Sequence, residues 1–98
     1  LRCNVNACGT YLTDVAVVTI CSHCICPQCA ITAGFRDDAP LTCPACQNPL
    51  RRDDVFEQIV NPPGEWQNLA MCGLEPTIIM EAAGRAISFW SYQMGSQL

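Results

Sequence analysis

The sequence predicts a small α+β zinc-binding domain, cross-braced around two ions and followed by helices that lead into a coiled coil. Three observations predict it. The chain of 98 residues carries nine cysteines and one histidine. Eight of these fall into four ligand pairs, Cys3/Cys8, Cys21/His23, Cys26/Cys29 and Cys43/Cys46. Beyond Pro76, apolar residues recur at alternating gaps of four and three, the spacing of a helix–helix seam. A chain of this length cannot bury two full hydrophobic cores, so the first half needs staples.

Metal rather than disulfide follows from the cysteine arithmetic. The count is odd, and most of the thiols stand in short-gap pairs that grip one ion well and bridge poorly. A reducing compartment, cytosol or nucleus, is the expectation. The chain begins with Leu1, which reads as an excised fragment. No apolar run approaches membrane-spanning length, so no membrane partner is expected. The formal charge is −4; seven ligand thiolates and two divalent ions take it to −7, which argues against direct binding of nucleic acid by this stretch.

In chain order, Leu1 to Asn6 read as an extended knuckle carrying Cys3, closed by the Ala7-Cys8-Gly9 corner. The four residues between Cys3 and Cys8 force that loop to bulge. Tyr11 to Ile20, rich in β-branched residues, read as a strand that feeds ligands into the metal. Ala30 to Phe35 suit a short helix ended by Gly34, with Pro27 in its first turn, and a loop follows over Arg36 to Pro40. Leu41-Thr42 re-enters as a strand before the knuckle Cys43-Pro44-Ala45-Cys46, where Pro44 stiffens the turn. The zinc domain is expected over 1–50, a connector with a short helix over 51–75, and the start of a C-terminal helix or coiled coil over 76–98.

Within the connector, Asp53 to Val60 fit a strand or a helical turn equally well. A helix capped by Asn61, with Pro62 at its first position and Gly73 past its end, would bury Trp66, Leu69, Ala70 and Cys72. Pro76 opens a second helix that runs to Leu98 without a stop signal. Its seam is Ile79, Ala83, Ala86 and Trp90, continuing to Gln93 or Met94, and self-association through this helix is the expectation; the competing reading folds the helix back to bury Phe89 and Trp90.

Zinc imposes no geometry of its own, so four protein ligands close each site and leave no position for a reacting water. The two ions are therefore structural, and a hydrolytic metalloenzyme is ranked far below. The interleaved order of the pairs supports a cross-brace: Cys3, Cys8, Cys26 and Cys29 on one ion, Cys21, His23, Cys43 and Cys46 on the other. Cys24 offers an alternative to His23. On an extended segment the two point to opposite faces, and His23 is preferred. Cys24 and Cys72 then read as small buried apolar residues.

The spacing Cys3-x4-Cys8-x12-Cys21-x-His23-x2-Cys26-x2-Cys29-x13-Cys43-Pro44-x-Cys46 resembles a RING finger. Leu69 to Ile79 and Arg85 to Gln93 further resemble the segment after the RING in the cyclin-B-interacting (human enhancer of invasion) family. The resemblance implies a RING-type ubiquitin or SUMO protein ligase, a nuclear, chromosome-associated protein of meiotic crossover formation. It would recruit a loaded conjugating enzyme and act on chromosomal proteins, with no catalytic residue of its own. The implied contact surface is Val5, Phe35, Pro44 and Gln47. Gln47 departs from the pattern, because active ubiquitin ligases often carry Arg or Lys after the last ligand. The alternatives are a zinc-stabilised dimeric scaffold with little transfer activity and, behind it, a reader of protein tails built on Asp37, Asp38 and Trp66.

Overall fold

The computed structural model describes residues 1–37 and 40–96. The chain divides into two compact units, Leu1–Val60 and Asn61–Leu98. The first holds five strands, β1 (Val15–Thr19), β2 (Cys24–Ile25), β3 (Leu41–Thr42), β4 (Pro49–Leu50) and β5 (Val55–Ile59), with one helix, α1 (Pro27–Thr32), and a 3-10 turn at Arg52–Asp54. The second holds α2 (Gly64–Leu69) and α3 (Pro76–Ser96).

β1 is the centre of a three-stranded antiparallel sheet in the order β2-β1-β5. Only five residues of the apolar run form it, fewer than Tyr11 to Ile20 promised. The cause is competition from the first knuckle: Cys3 N–H donates to Thr10 O at 2.8 Å, Leu12 N–H donates to Leu1 O at 2.9 Å, and Tyr11 bridges Arg2. The chain must bend at residues 13 and 14 before it can join the sheet. Ala16, Val17, Ile25, Leu12 and Ala30 form the small core with Leu41 and Leu50.

Asp53 to Val60, which the sequence left between strand and helix, divides: Asp53 and Asp54 belong to the 3-10 turn, and Val55–Ile59 is the strand β5. β5 pairs with β1 from Val15 opposite Ile59 to Thr19 opposite Val55, which carries the first unit ten residues past the expected boundary at Leu50. α1 starts three residues earlier than expected. Cys26 caps it, its Sγ accepting Cys29 N–H at 3.4 Å, with Pro27 at the first position. It ends at Thr32, and Gly34 takes φ +80° so that Phe35 N–H can reach back to Ala30 O at 3.0 Å. β3 and β4 form a hairpin around the second knuckle. Residues 38 and 39 of the expected loop, including Asp38, lie outside the described residues.

In the second unit, α2 begins at Gly64 with Pro63 as its N-cap residue, so the expected start at Pro62 is corrected. A residue before proline is pushed out of the helical region, and Pro62 stands before Pro63. Trp66, Leu69, Ala70 and Cys72 are exposed, so the expected buried face is corrected as well. α3 is a continuous helix of 21 residues. Residues 97 and 98 of the expected run lie outside the described residues. No helix is long and apolar enough to cross a membrane among the described residues.

Candidate metal centre

Two groups of four donors assemble in the first unit. Cys3, Cys8, Cys26 and Cys29 bring their ligand atoms within 4.8 Å of one another, and so do Cys21, His23, Cys43 and Cys46. Along the chain the first pair groups with the third and the second with the fourth. The sheet and knuckles explain this. β1 delivers Cys21 and His23 at its end, β2 leads directly into Cys26, and Cys26 and Cys29 are separated by one turn at the start of α1.

Positive φ values set the turns that aim the side chains. Ala7 (φ 67°) lies before Cys8, Ser22 (φ 69°) between Cys21 and His23, and Gln47 (φ 67°) after Cys46. Each is a non-glycine residue in the left-handed region, a conformation that costs about 1–3 kcal/mol and clusters at ligand clamps.

The distances fit a tetrahedral ion. Zinc with sulfur ligands at about 2.3 Å has S···S edges of about 3.8 Å, and mixed S···N edges of about 3.6 Å. Cys8 Sγ lies 3.9 Å from Cys26 Sγ, Cys46 Sγ 3.6 Å from Cys21 Sγ, and His23 Nδ1 3.7 Å from Cys43 Sγ. All nine cysteines are free thiols. The donor chemistry, thiolate and imidazole with no carboxylate, suits zinc, and the residues present fit two such ions.

Electrostatics point the same way. Burial pushes the Cys21 thiol up to about 11, and it raises Cys3 and Cys29 as well. Cys8, held by hydrogen bonds from the Thr10 hydroxyl and backbone, falls to about 6, and Cys46 is lowered first by the backbone N–H of Asn48. Crowded thiols that resist ionisation by themselves become thiolates when a divalent cation takes the centre of the group.

Cys24 stands apart from both groups. It is fully buried on β2, its Sγ donates to Arg2 O at 3.2 Å, and burial raises its thiol to about 11. Cys72 is exposed in the second unit rather than buried as expected. Two supporting residues were missed by the sequence reading. Thr19 is buried, its hydroxyl lies 3.0 Å from Cys21 Sγ, and it accepts His23 N–H at 3.2 Å, so one side chain steadies two donors. Asn4 accepts Cys24 N–H at 2.8 Å and ties the first knuckle to β2. The available signal for Thr19 was a polar residue two positions before a ligand in an otherwise apolar strand.

Of the four residues expected at a conjugating-enzyme contact, Val5, Phe35 and Pro44 are half-buried and Gln47 is exposed. Val5 belongs to the first knuckle, its carbonyl accepting Cys8 N–H at 3.0 Å. Phe35 lines a cavity between α1 and β5, and its carbonyl accepts a hydrogen bond from the Arg52 guanidinium. The Gln47 amide turns back to Pro44 O at 3.3 Å. Along α3, Ile79 and Ala83 are half-buried while Ala86 and Trp90 are exposed. Asp37 and Trp66, offered for a tail-binding pocket, are both exposed and belong to different units.

Alternating ligand pairs that gather into two all-thiolate or thiolate–imidazole groups define a small metal-binding module with two centres. Comparison with known proteins narrows the class. The chain is 35% identical over 95 residues to the E3 ubiquitin-protein ligase CCNB1IP1 of Homo sapiens, covering 96% of this chain and 34% of the human protein. It is 34% identical over 95 residues to the protein of the same name from Mus musculus, with the same two coverages. To the homolog from Arabidopsis thaliana it is 36% identical over 93 residues, covering 95% of this chain and 29% of the plant protein. The chain belongs to the CCNB1IP1 family, the family that the residues after the second knuckle resemble, and it spans about a third of the length of the curated relatives it matches. No family model matches the chain. No solved structure matches it.

Proposed function

We propose that this chain is the zinc-bearing RING part of a ubiquitin ligase. Its two interleaved four-donor groups are the observation that carries the reading. Each group closes a zinc ion in a cross-brace, and the relatives' names supply the activity. The two ions hold the knuckles at fixed separation, so the protein offers a rigid surface and no nucleophile. A conjugating enzyme loaded with its modifier docks there, and transfer is accelerated by positioning. Val5, Phe35, Pro44 and Gln47 form the contact.

Ubiquitin is the first modifier to test because the relatives carry it in their names; SUMO is the second. α3 supplies a coiled-coil seam through Ile79, Ala83, Ala86 and Trp90 and pairs two copies. The reading extends to a nuclear protein that acts on chromosomal substrates during meiotic crossover formation, and the family resemblance is what supports it. A scaffold with little transfer activity is the competing reading. Gln47 favours it, since its neutral amide bonds back to Pro44 O and brings no charge-assisted contact to a partner.

The test is discharge of conjugating enzymes preloaded with ubiquitin or with SUMO onto free lysine, using zinc-loaded protein and a Cys43→Ser control. Acceleration with ubiquitin that the Cys43→Ser protein lacks supports the ligase. A protein that holds two zincs and accelerates neither modifier is the scaffold.

A further inference from the structure

Phe35, one of the four residues read as the conjugating-enzyme contact, stands outside any regular element. α1 ends at Thr32, and Phe35 lies in the turn that follows. Two hydrogen bonds hold its backbone. Its N–H donates to Ala30 O at 3.0 Å, which is local, while its carbonyl accepts the guanidinium of Arg52 from 17 residues further along the chain. Packing alone does not fix the ring. Phe35 is half-buried and borders a cavity of about 220 Å³ between α1 and β5, and a side chain beside a void forgoes part of its dispersion contact. Arg36, Arg52 and Glu57 line that cavity together, so it carries both signs of charge and selects no charged ligand by itself.

Arg52 reaches across from a firm base. It opens the 3-10 turn Arg52–Asp54, which Arg51 N–H closes by donating to Asp54 Oδ2 at 3.0 Å. Ile20 N–H donates to Asp54 O at 2.8 Å and ties that turn to the end of β1, and β5 follows at once in register with β1. The turn is therefore anchored on the sheet, and a charged donor on it makes a stronger bond to the Phe35 carbonyl than a neutral one would.

We propose that Arg52 is a positioning residue for the conjugating-enzyme contact: by holding the Phe35 carbonyl it keeps the phenyl ring in the pose that the partner meets. The inference rests on the ligase reading and deepens it, since it makes the contact depend on a residue beyond the last metal ligand, Cys46. Without the guanidinium the turn after α1 samples other conformations, and the partner binds only the fraction of molecules in the competent pose. Apparent affinity falls by that fraction, while transfer within the bound complex keeps its rate.

The test follows discharge of a loaded conjugating enzyme as the concentration of the zinc-loaded chain is raised, which separates the half-saturating concentration from the plateau rate. Arg52→Met keeps the aliphatic stem and removes the donors; Arg52→Lys returns one donor. Arg52→Met should raise the half-saturating concentration by about fivefold, the scale of one such hydrogen bond, with the plateau rate and two bound zincs unchanged. Arg52→Lys should recover most of the loss. Amide exchange at Phe35 should quicken in Arg52→Met while exchange in β1 and β5 stays slow. Three results overturn the proposal and leave the ligase reading standing. One is an unchanged half-saturating concentration in Arg52→Met. Another is a weaker contact with Phe35 exchange unaltered, which puts Arg52 on the partner directly instead of behind Phe35. The third is loss of zinc from Arg52→Met, which makes Arg52 a folding residue. If the unchanged chain neither binds nor discharges a loaded conjugating enzyme, the ligase reading falls and this proposal falls with it.

Discussion

The two units differ in where their order comes from. In Leu1–Val60 the core residues Ala16, Val17, Cys24, Ile25 and Cys43 are buried to between 0% and 4% exposure, and two donor groups lie among them. In Asn61–Leu98, Gln93 is the one residue classed as buried among the described residues, while Trp66, Leu69, Leu74, Ile78, Met80 and Ile87 are exposed. The first unit is short on apolar area and has metal ligands to compensate. The second holds no group of metal-ligating side chains among the described residues, and its main element is the 21-residue α3. Side chains suited to hold an ion thus gather in one stretch, while the next leaves most of its large apolar side chains exposed.

The largest test of that contrast is zinc removal. Each structural site contributes roughly 10 kcal/mol or more at neutral pH, above the net stability of a small domain. Chelation should therefore abolish slow amide exchange in β1 and β5, while the helical circular-dichroism signal falls less. Equal loss of both would mean that the units are not independent in this respect. Lowering the pH should act in the same direction, because the raised thiols of Cys3, Cys21 and Cys29 must give up protons to bind the ion. A zinc-release titration checks the sign: apparent affinity should fall as pH falls.

Single cysteine changes sharpen the comparison. Cys43→Ser should cost one equivalent of bound zinc by atomic absorption, whereas Cys72→Ser in the second unit should leave two. Smaller again is Thr19→Val, which keeps shape and removes the hydroxyl beside Cys21. Loss of such an outer partner typically costs 10–100-fold in metal affinity, and a competition titration with a chelating dye would read it. An unchanged affinity would make Thr19 a core residue only. The smallest effect on the first unit is expected from Ile79→Glu with Ala86→Glu. That pair should yield monomers in light scattering while zinc content stays at two, and an unaltered mass would remove the seam from the proposal.

Legibility followed the range of the interactions. Cys3, Cys8, Cys21, His23, Cys26, Cys29, Cys43 and Cys46 were singled out by residue type and short-range spacing, and their donor atoms gather in the structure into the two groups that the interleaving suggested. The α2 start was misread although its signal was local: Pro63 restricts Pro62, and the proline pair had to be read together. Thr19 was missed because a strand threonine is common, and only the turn at Ser22 brings Cys21 and His23 back to its hydroxyl.

By itself, then, the sequence determined the family, the donor set and the continuous helix after Pro76, because these depend on residue identity within a few positions of the chain. The tertiary structure alone decided that Val55–Ile59 is a strand and that it pairs with β1. Strand and helical turn were equally compatible with those five residues locally. A strand is held by its partner, and β1 lies some 40 positions earlier in the chain, so its pairing is written in no short-range pattern.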